Sequence, residues 1–197
     1  MRYRSILVYV DTRLLGDVDH AHEALENVAR LALAHDAAFT LCDVVASPPR
    51  ESRPGPASRL GLLRLRYAED ILKRLAGGLT RLIESKQVVL EGNAFLALTR
   101  HVMQQRVDLV VTPCFTETSA RQAAVAAHLV RKCPTTVWDC RVRGRASRAR
   151  LAVALDRELF AGTELPQTMA GRLLDTAVAL ARGQTAEIHL VHAWEVY

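Results

Sequence analysis

The chain has 197 residues, half of them apolar, a net charge of +5 and a pI of about 9.3. That suffices for one large domain, or for one domain and a fragment of another, around an ordinary core. No apolar run reaches the ~18 residues a membrane span needs, and the N-terminus has two arginines but no apolar h-region or cleavage site. A cytoplasmic protein with no membrane partner is therefore expected. Four cysteines, Cys42, Cys114, Cys133 and Cys140, are scattered without a CxxC pair, as reduced and mostly buried thiols would be. Only Lys73, Lys86 and Lys132 are lysines; every other basic residue is arginine.

Arg4–Val10 (RSILVYV) is a continuous apolar run and predicts a strand buried on both faces, ending at Asp11. Asp17–His35 predicts a helix: Leu25, Val28, Ala29 and Ala32 recur at helical spacing, with Asp17 and Asp19 near its start and His35 at its end. Ala38–Val45 (AFTLCDVV) predicts a second strand. Ser47–Ser58 holds Pro48, Pro49, Pro54, Gly55 and Pro56 and predicts a loop. Arg59–Ser85 carries a long helical pattern in which Gly77-Gly78 suggests a break or kink. Gln87–Leu90 reads as a short strand, Glu91-Gly92-Asn93 as a turn, and Ala94–Gln105 as a helix.

Val107–Asp139 is the most explicit stretch. Val107–Val111 predicts a buried strand, Thr112–Ser119 a turn rich in hydroxyl side chains, and Ala120–Lys132 a helix without glycine or proline. Cys133-Pro134 ends that helix, because the residue before proline disfavours the α region. Thr135–Trp138 is the next strand, which completes a parallel βαβ unit. In such units ligands bind beyond the strand ends, where the loop meets the helix N-terminus.

Arg141–Arg150 (RVRGRASRAR) then reads as a basic linker. After it the beginning of the chain recurs. Arg150–Asp156 restates Ser5–Asp11, including the aspartate; Leu174–Ala181 restates Leu25–Ala32; Glu187–Trp194 restates Ala38–Val45. Leu25, Leu31 and Leu41 align with Leu174, Leu180 and Leu190 at one constant offset, an internal repeat with a period near a whole domain. The division is residues 1–141 for a complete domain, 142–149 for an arginine-rich linker, and 150–197 for the opening of a second copy.

ILVYVD, ALENVARLALAHDAAFTLCDVV, DLVV and LVRKCPTTVW, in this order and spacing, resemble a universal stress protein domain. RLAVALD with EIHLVHAWE resembles the second half of the tandem members. The resemblance implies an α/β fold: a doubly wound, Rossmann-like five-stranded parallel sheet of order 3-2-1-4-5, followed here by a partial β-α-β repeat. It implies pairing of domains through the fifth strand, either within one chain or in a homodimer. It also implies a stress-response role through protein association or a small ligand of unidentified class.

Many members bind ATP through glycines after the fourth strand, where backbone N–H groups approach phosphates at a helix N-terminus. Pro113 and Thr116 stand where the first two glycines would be, and Ala123-Ala124 where glycine and serine or threonine are expected. Pro113 has no N–H, Phe115 is bulky, and Glu117 sets a negative charge where the triphosphate would lie. ATP binding, a resident cofactor and enzymatic activity are therefore not expected. Asp11 matches the family's aspartate that contacts the nucleoside, Val44 the residue flanking adenine, and Asp156 is the aspartate of the second copy. Two alternatives follow: a nucleotide-binding sensor using Asp11, and a nucleic-acid-associated protein using the arginine linker. The linker lacks the interleaved aromatics that stack on bases, so the nucleic-acid reading ranks below a solvated connection. No metal site is expected: His20 and His22 do not share a helix face, His189 and His192 point to opposite faces, and neither pair makes a zinc spacing with Cys133 and Cys140.

Overall fold

A computed structural model of the chain describes residues 2–15, 18–47, 56–114, 120–141, 149–154, 169–181 and 186–191. These fall into two compact units, Arg4–Val142 and Met1–Tyr3 with Arg143–Tyr197.

In the larger unit the elements are β1 (Ser5–Tyr9), α1 (Val18–His35), β2 (Ala38–Val45), α2 (Pro56–Leu79), β3 (Ser85–Glu91), α3 (Ala94–Gln105), β4 (Leu109–Cys114), α4 (Ala120–Lys132) and β5 (Thr136–Arg141). The five strands pair in parallel in the order β3-β2-β1-β4-β5, the doubly wound sheet expected from the sequence. Side chains alternate across it. Leu7, Tyr9, Cys42, Val44 and Val110 form a buried cluster with Ala94, Leu98 and Val102 of α3 and Leu129 of α4. The opposite face, with Phe39, Leu41 and Val45, belongs to α1 and α2.

Several boundaries differ from the sequence reading. Thr112–Cys114, expected as turn, continues β4 and pairs with Asp139–Arg141. β1 pairs with β4 only as far as Val111, so Pro113 lies past the end of one neighbour, where a missing N–H is tolerated. The α2 helix begins at Pro56, a residue suited to a first helical turn, and passes unbroken through Gly77-Gly78 before ending at Leu79. A Cβ at Gly78 would fall inside the His22 imidazole, whereas one at Gly77 would meet nothing. Gly78 is therefore a close-packing position between α1 and α2 rather than a hinge. Ser85, expected as the last residue of the helix, begins β3, which takes in Lys86 as well.

The smaller unit holds β6 (Ala149–Ala154), α5 (Met169–Ala181) and β7 (Ala186–Val191), with β6 and β7 parallel. Val153 packs on Ala170, Ala177 and Leu174 of the helix. The register reproduces that of β1 and β2. Val8 stands opposite Leu41, and Val153 opposite Leu190; Ile6 stands opposite Phe39, and Leu151 opposite Ile188. The two parallel strand pairs thus share one register.

Candidate functional site

In order 3-2-1-4-5 the chain leaves β1 toward β2 on one side and β4 lies on the other, so the crevice at their carboxyl ends is the place where ligands bind in this class of sheet. Here β1 runs into Val10, Asp11, Thr12 and Arg13. The strand direction holds as far as Val10, whose N–H donates to the Cys42 carbonyl at 2.8 Å. The chain then turns, with Leu14 N–H donating to the Asp11 carbonyl at 3.0 Å.

That turn lets Arg13 fold back onto Asp11. Its Nε donates to Oδ1 and its Nη2 to Oδ2, both at 2.8 Å, and the Arg13 N–H adds a 3.3 Å bond to Oδ1. This is the fork-to-fork geometry in which guanidinium and carboxylate bind most strongly. Asp11 is 1% exposed while the Arg13 side chain is one-third open to solvent. Burial works against the Arg13 charge, but the bond to Asp11 and the nearby carboxylates outweigh it, and its pKa is raised.

A second buried carboxyl lies behind the turn. Asp43 of β2 is inaccessible to solvent and accepts from the Thr12 hydroxyl at 2.6 Å, from the Val44 N–H at 2.6 Å and, more weakly, from the Thr12 N–H at 3.4 Å. Desolvation raises its pKa above the ordinary carboxylate value, opposed by the Thr12 and Val44 hydrogen bonds and reinforced by the charge of Asp11. Asp43 therefore ties the β1–α1 turn to β2.

In front of this turn opens a cavity of about 190 Å³, lined by Thr12, Arg13, Val45, Ala46, Leu63, Arg64 and Tyr67. Val45 and Ala46 from the end of β2, with Leu63 and Tyr67 of α2, give it apolar and aromatic walls. Thr12, Arg13 and Arg64 give it hydrogen-bond donors, and among the described residues no acidic side chain lines it.

The sequence-predicted residues are only partly brought together here. Asp11 lies directly behind Arg13, with both its oxygens engaged. Val44 points the other way: it is 1% exposed and sits in the α3–α4 core cluster. Strand alternation makes Val45, one residue on, the cavity residue. At the β4–α4 junction Pro113 is buried, and the Gln122 side-chain amide donates to its carbonyl. Ala123 and Ala124 are exposed on α4, and Ala124 lines a separate groove of about 650 Å³ with Phe95, Leu96 and His128. Thr116, Phe115, Glu117, Asp156 and most of the arginine linker lie outside the described residues.

Sequence reasoning missed Thr12, Arg13, Asp43 and Gln122. Only Asp43 left a usable signal: a charged residue inside the apolar run FTLCDVV must find partners when buried. Cys42, Cys133 and Cys140 are poor nucleophiles, because burial raises the thiol pKa of Cys42 and Cys133 and pushes that of Cys140 up to about 11. Among the described residues no group of three or more His, Cys, Asp or Glu is arranged to hold a metal ion, and no helix is long and apolar enough to cross a membrane.

Residues 2–141 match the universal stress protein family. The chain belongs to that family. Its fold is similar to that of the universal stress protein UspA from Lactobacillus plantarum, at 21% identity and a TM-score of 0.55 over 73% of this chain and 99% of that one. A universal stress protein family member from Burkholderia pseudomallei matches at 21% identity and a TM-score of 0.51, over 72% and 97%. The universal stress protein from Archaeoglobus fulgidus, solved in complex with dAMP, matches at 16% identity and a TM-score of 0.50, over 73% and 100%. Comparison with curated protein sequences finds no match.

Proposed function

We propose that this universal stress protein acts in a stress response by holding a small ligand in the cavity bounded by Thr12, Arg13, Val45, Ala46, Leu63, Arg64 and Tyr67, without enzymatic turnover. The observation that carries the reading is the position of this cavity, at the carboxyl ends of β1 and β2 beside the crossover point of the sheet. The complex of the Archaeoglobus protein with dAMP is consistent with a ligand of nucleoside size. Val45, Ala46, Leu63 and Tyr67 suit a planar or apolar body, and Arg13 and Arg64 suit one short anionic group. A triphosphate fits poorly: Pro113 offers no N–H, and the Gln122 side-chain amide, a donor at the α4 end of the site, already donates to the Pro113 carbonyl.

Asp11 acts through Arg13 in this reading. Direct contact between Asp11 and a nucleoside would require the Arg13 fork to open. The second copy, residues 150–197, serves as the start of a tandem domain and pairs with another domain in the chain or in a homodimer. A cytoplasmic setting suits the reduced cysteines.

Calorimetric titration with adenosine, dAMP, AMP and ATP tests this. The expected result is binding of a nucleoside or monophosphate, lost in Tyr67→Ala and weakened in Arg64→Gln, with no micromolar binding of ATP. Micromolar ATP binding that survives Tyr67→Ala would sink the proposal, as would the absence of thermal stabilisation by any of the four.

A further inference from the structure

The face that α2 turns to solvent is unlike the rest of the unit. Half of the large apolar side chains left exposed among the described residues of Arg4–Val142 fall within eight residues: Leu60, Leu62, Leu63 and Tyr67, each 50–62% exposed. The others are scattered over α1, α3 and α4. Beside or between the four stand the exposed Arg59, Arg64 and Arg66; no acidic residue occurs from Pro56 to Ala68, and Glu69 and the exposed Asp70 follow directly. At 3.6 residues per turn Leu62, Arg66, Arg59, Leu63, Tyr67 and Leu60 follow one another around an arc of roughly 160°. The buried side of the helix, with Ala68, Leu72, Leu75 and Leu79, lies opposite.

We propose that this arginine–leucine face of α2 rests on an anionic lipid surface. Leucines among a majority of basic residues are what an interfacial helix requires: the apolar side chains enter the headgroup boundary while the long arginine stems lie along it and keep their charges at the phosphates, and Lys73 and Arg74 on the same arc outweigh its one exposed acid, Asp70. The exposed side chains spread over a wide arc of the helix, and Arg59, Leu60, Leu62 and Arg66 stand outside the ligand cavity. Crossing a membrane and lying on one are different physical claims; only the first is excluded by helix length and hydropathy.

The test uses the full chain and residues outside the ligand cavity. Co-sedimentation is measured with vesicles of phosphatidylcholine alone and of phosphatidylcholine with one-quarter phosphatidylglycerol. Binding is expected only to the anionic vesicles and should weaken as salt is raised. Arg59→Gln and Arg66→Gln should each lose roughly fivefold in partitioning. Leu60→Ser with Leu62→Ser should lose a comparable amount at unchanged charge, with unchanged thermal unfolding because these side chains are exposed. Absence of binding, or equal binding to neutral vesicles, overturns the proposal. So does salt-sensitive binding to polyglutamate that ignores the leucine changes, which would mark an acidic protein partner. Self-association abolished by Leu62→Ser, without vesicle binding, would instead assign the face to a second copy of the chain.

Discussion

Removing the buried carboxyl of Asp43 should loosen the site more than any change on its surface. The carboxylate receives two short hydrogen bonds, from the Thr12 hydroxyl and the Val44 N–H at 2.6 Å each, and one long one from the Thr12 N–H at 3.4 Å. Asp43→Ala leaves two strong donors without an acceptor in a solvent-free position, at about 1–3 kcal/mol apiece. Part of this is offset because a desolvated carboxyl is no longer buried, so the net loss is about 2–4 kcal/mol. Asp43→Asn retains an acceptor for Val44 and can donate to the Thr12 hydroxyl, which limits the loss to about 1 kcal/mol. Urea unfolding of the full chain, with the denaturant slope unchanged, measures both. The raised pKa adds a pH signature. The folded state binds the Asp43 proton more tightly than the unfolded one, so this stabilising contribution is complete below the ordinary carboxylate pKa of 3.8 and fades as pH rises through the higher folded value. The advantage of wild type over Asp43→Asn should accordingly shrink with rising pH above about 4. A loss below about 0.5 kcal/mol for Asp43→Ala would show that the network tying the turn to β2 does not hold the site together.

The two adjacent glycines of α2 should respond with opposite signs. Gly77→Ala, with open space around it, should stabilise by about 0.5–1 kcal/mol through helix propensity, while Gly78→Ala should cost about 1–3 kcal/mol by colliding with His22; equal effects in thermal unfolding would contradict the α1–α2 packing. Arg13→Gln takes the guanidinium from the buried Asp11 and should cost about 1.5–3 kcal/mol, seen in the same unfolding assay together with loss of ligand binding. Retained stability in that variant would mean that solvent compensates Asp11 fully.

Local pattern was enough for most of the fold. Ala38–Val45, Ala94–Gln105 and Ala120–Lys132 have the boundaries their periodicity and flanking residues predicted. The exceptions are places where tertiary context decides. Proline suggested that β4 stops before Thr112, but a proline is acceptable where only one neighbouring strand remains. Paired glycines suggested a break in α2, but a glycine also lets another helix approach closely. The site was less legible. Position after a strand picks out Asp11, but not that Arg13 closes over it, because this depends on the turn geometry. The choice of Val44 missed the cavity by one residue, which in a strand means the opposite face. Leu63, Arg64 and Tyr67 reach the cavity only because α2 packs beside β2, and nothing in their own sequence announces it.

The smaller unit makes the role of that packing visible by comparison. Phe39 and Leu41 of β2 are 2% and 0% exposed beneath the α1–α2 face. Their register equivalents in β7, Ile188 and Leu190, are 37% and 61% exposed. In the smaller unit α5 covers Val153, but among its described elements there is no counterpart of α2 to cover β7. Together the two side chains leave uncovered about one aliphatic residue's worth of apolar surface, or roughly 1.5–3 kcal/mol of burial. The β6–β7 pair is also two-stranded, so each strand has an edge without a partner among the described strands, the arrangement that invites pairing with another chain. Self-association through β7 is the expected outcome, and light scattering at micromolar concentration should show a dimer. Leu190→Asp should return it to monomer while leaving the Arg4–Val142 unit and its ligand binding intact. A wild-type monomer with the same unfolding midpoint as Leu190→Asp would mean that this surface is tolerated bare, and the need of the smaller unit for a partner would have to be abandoned.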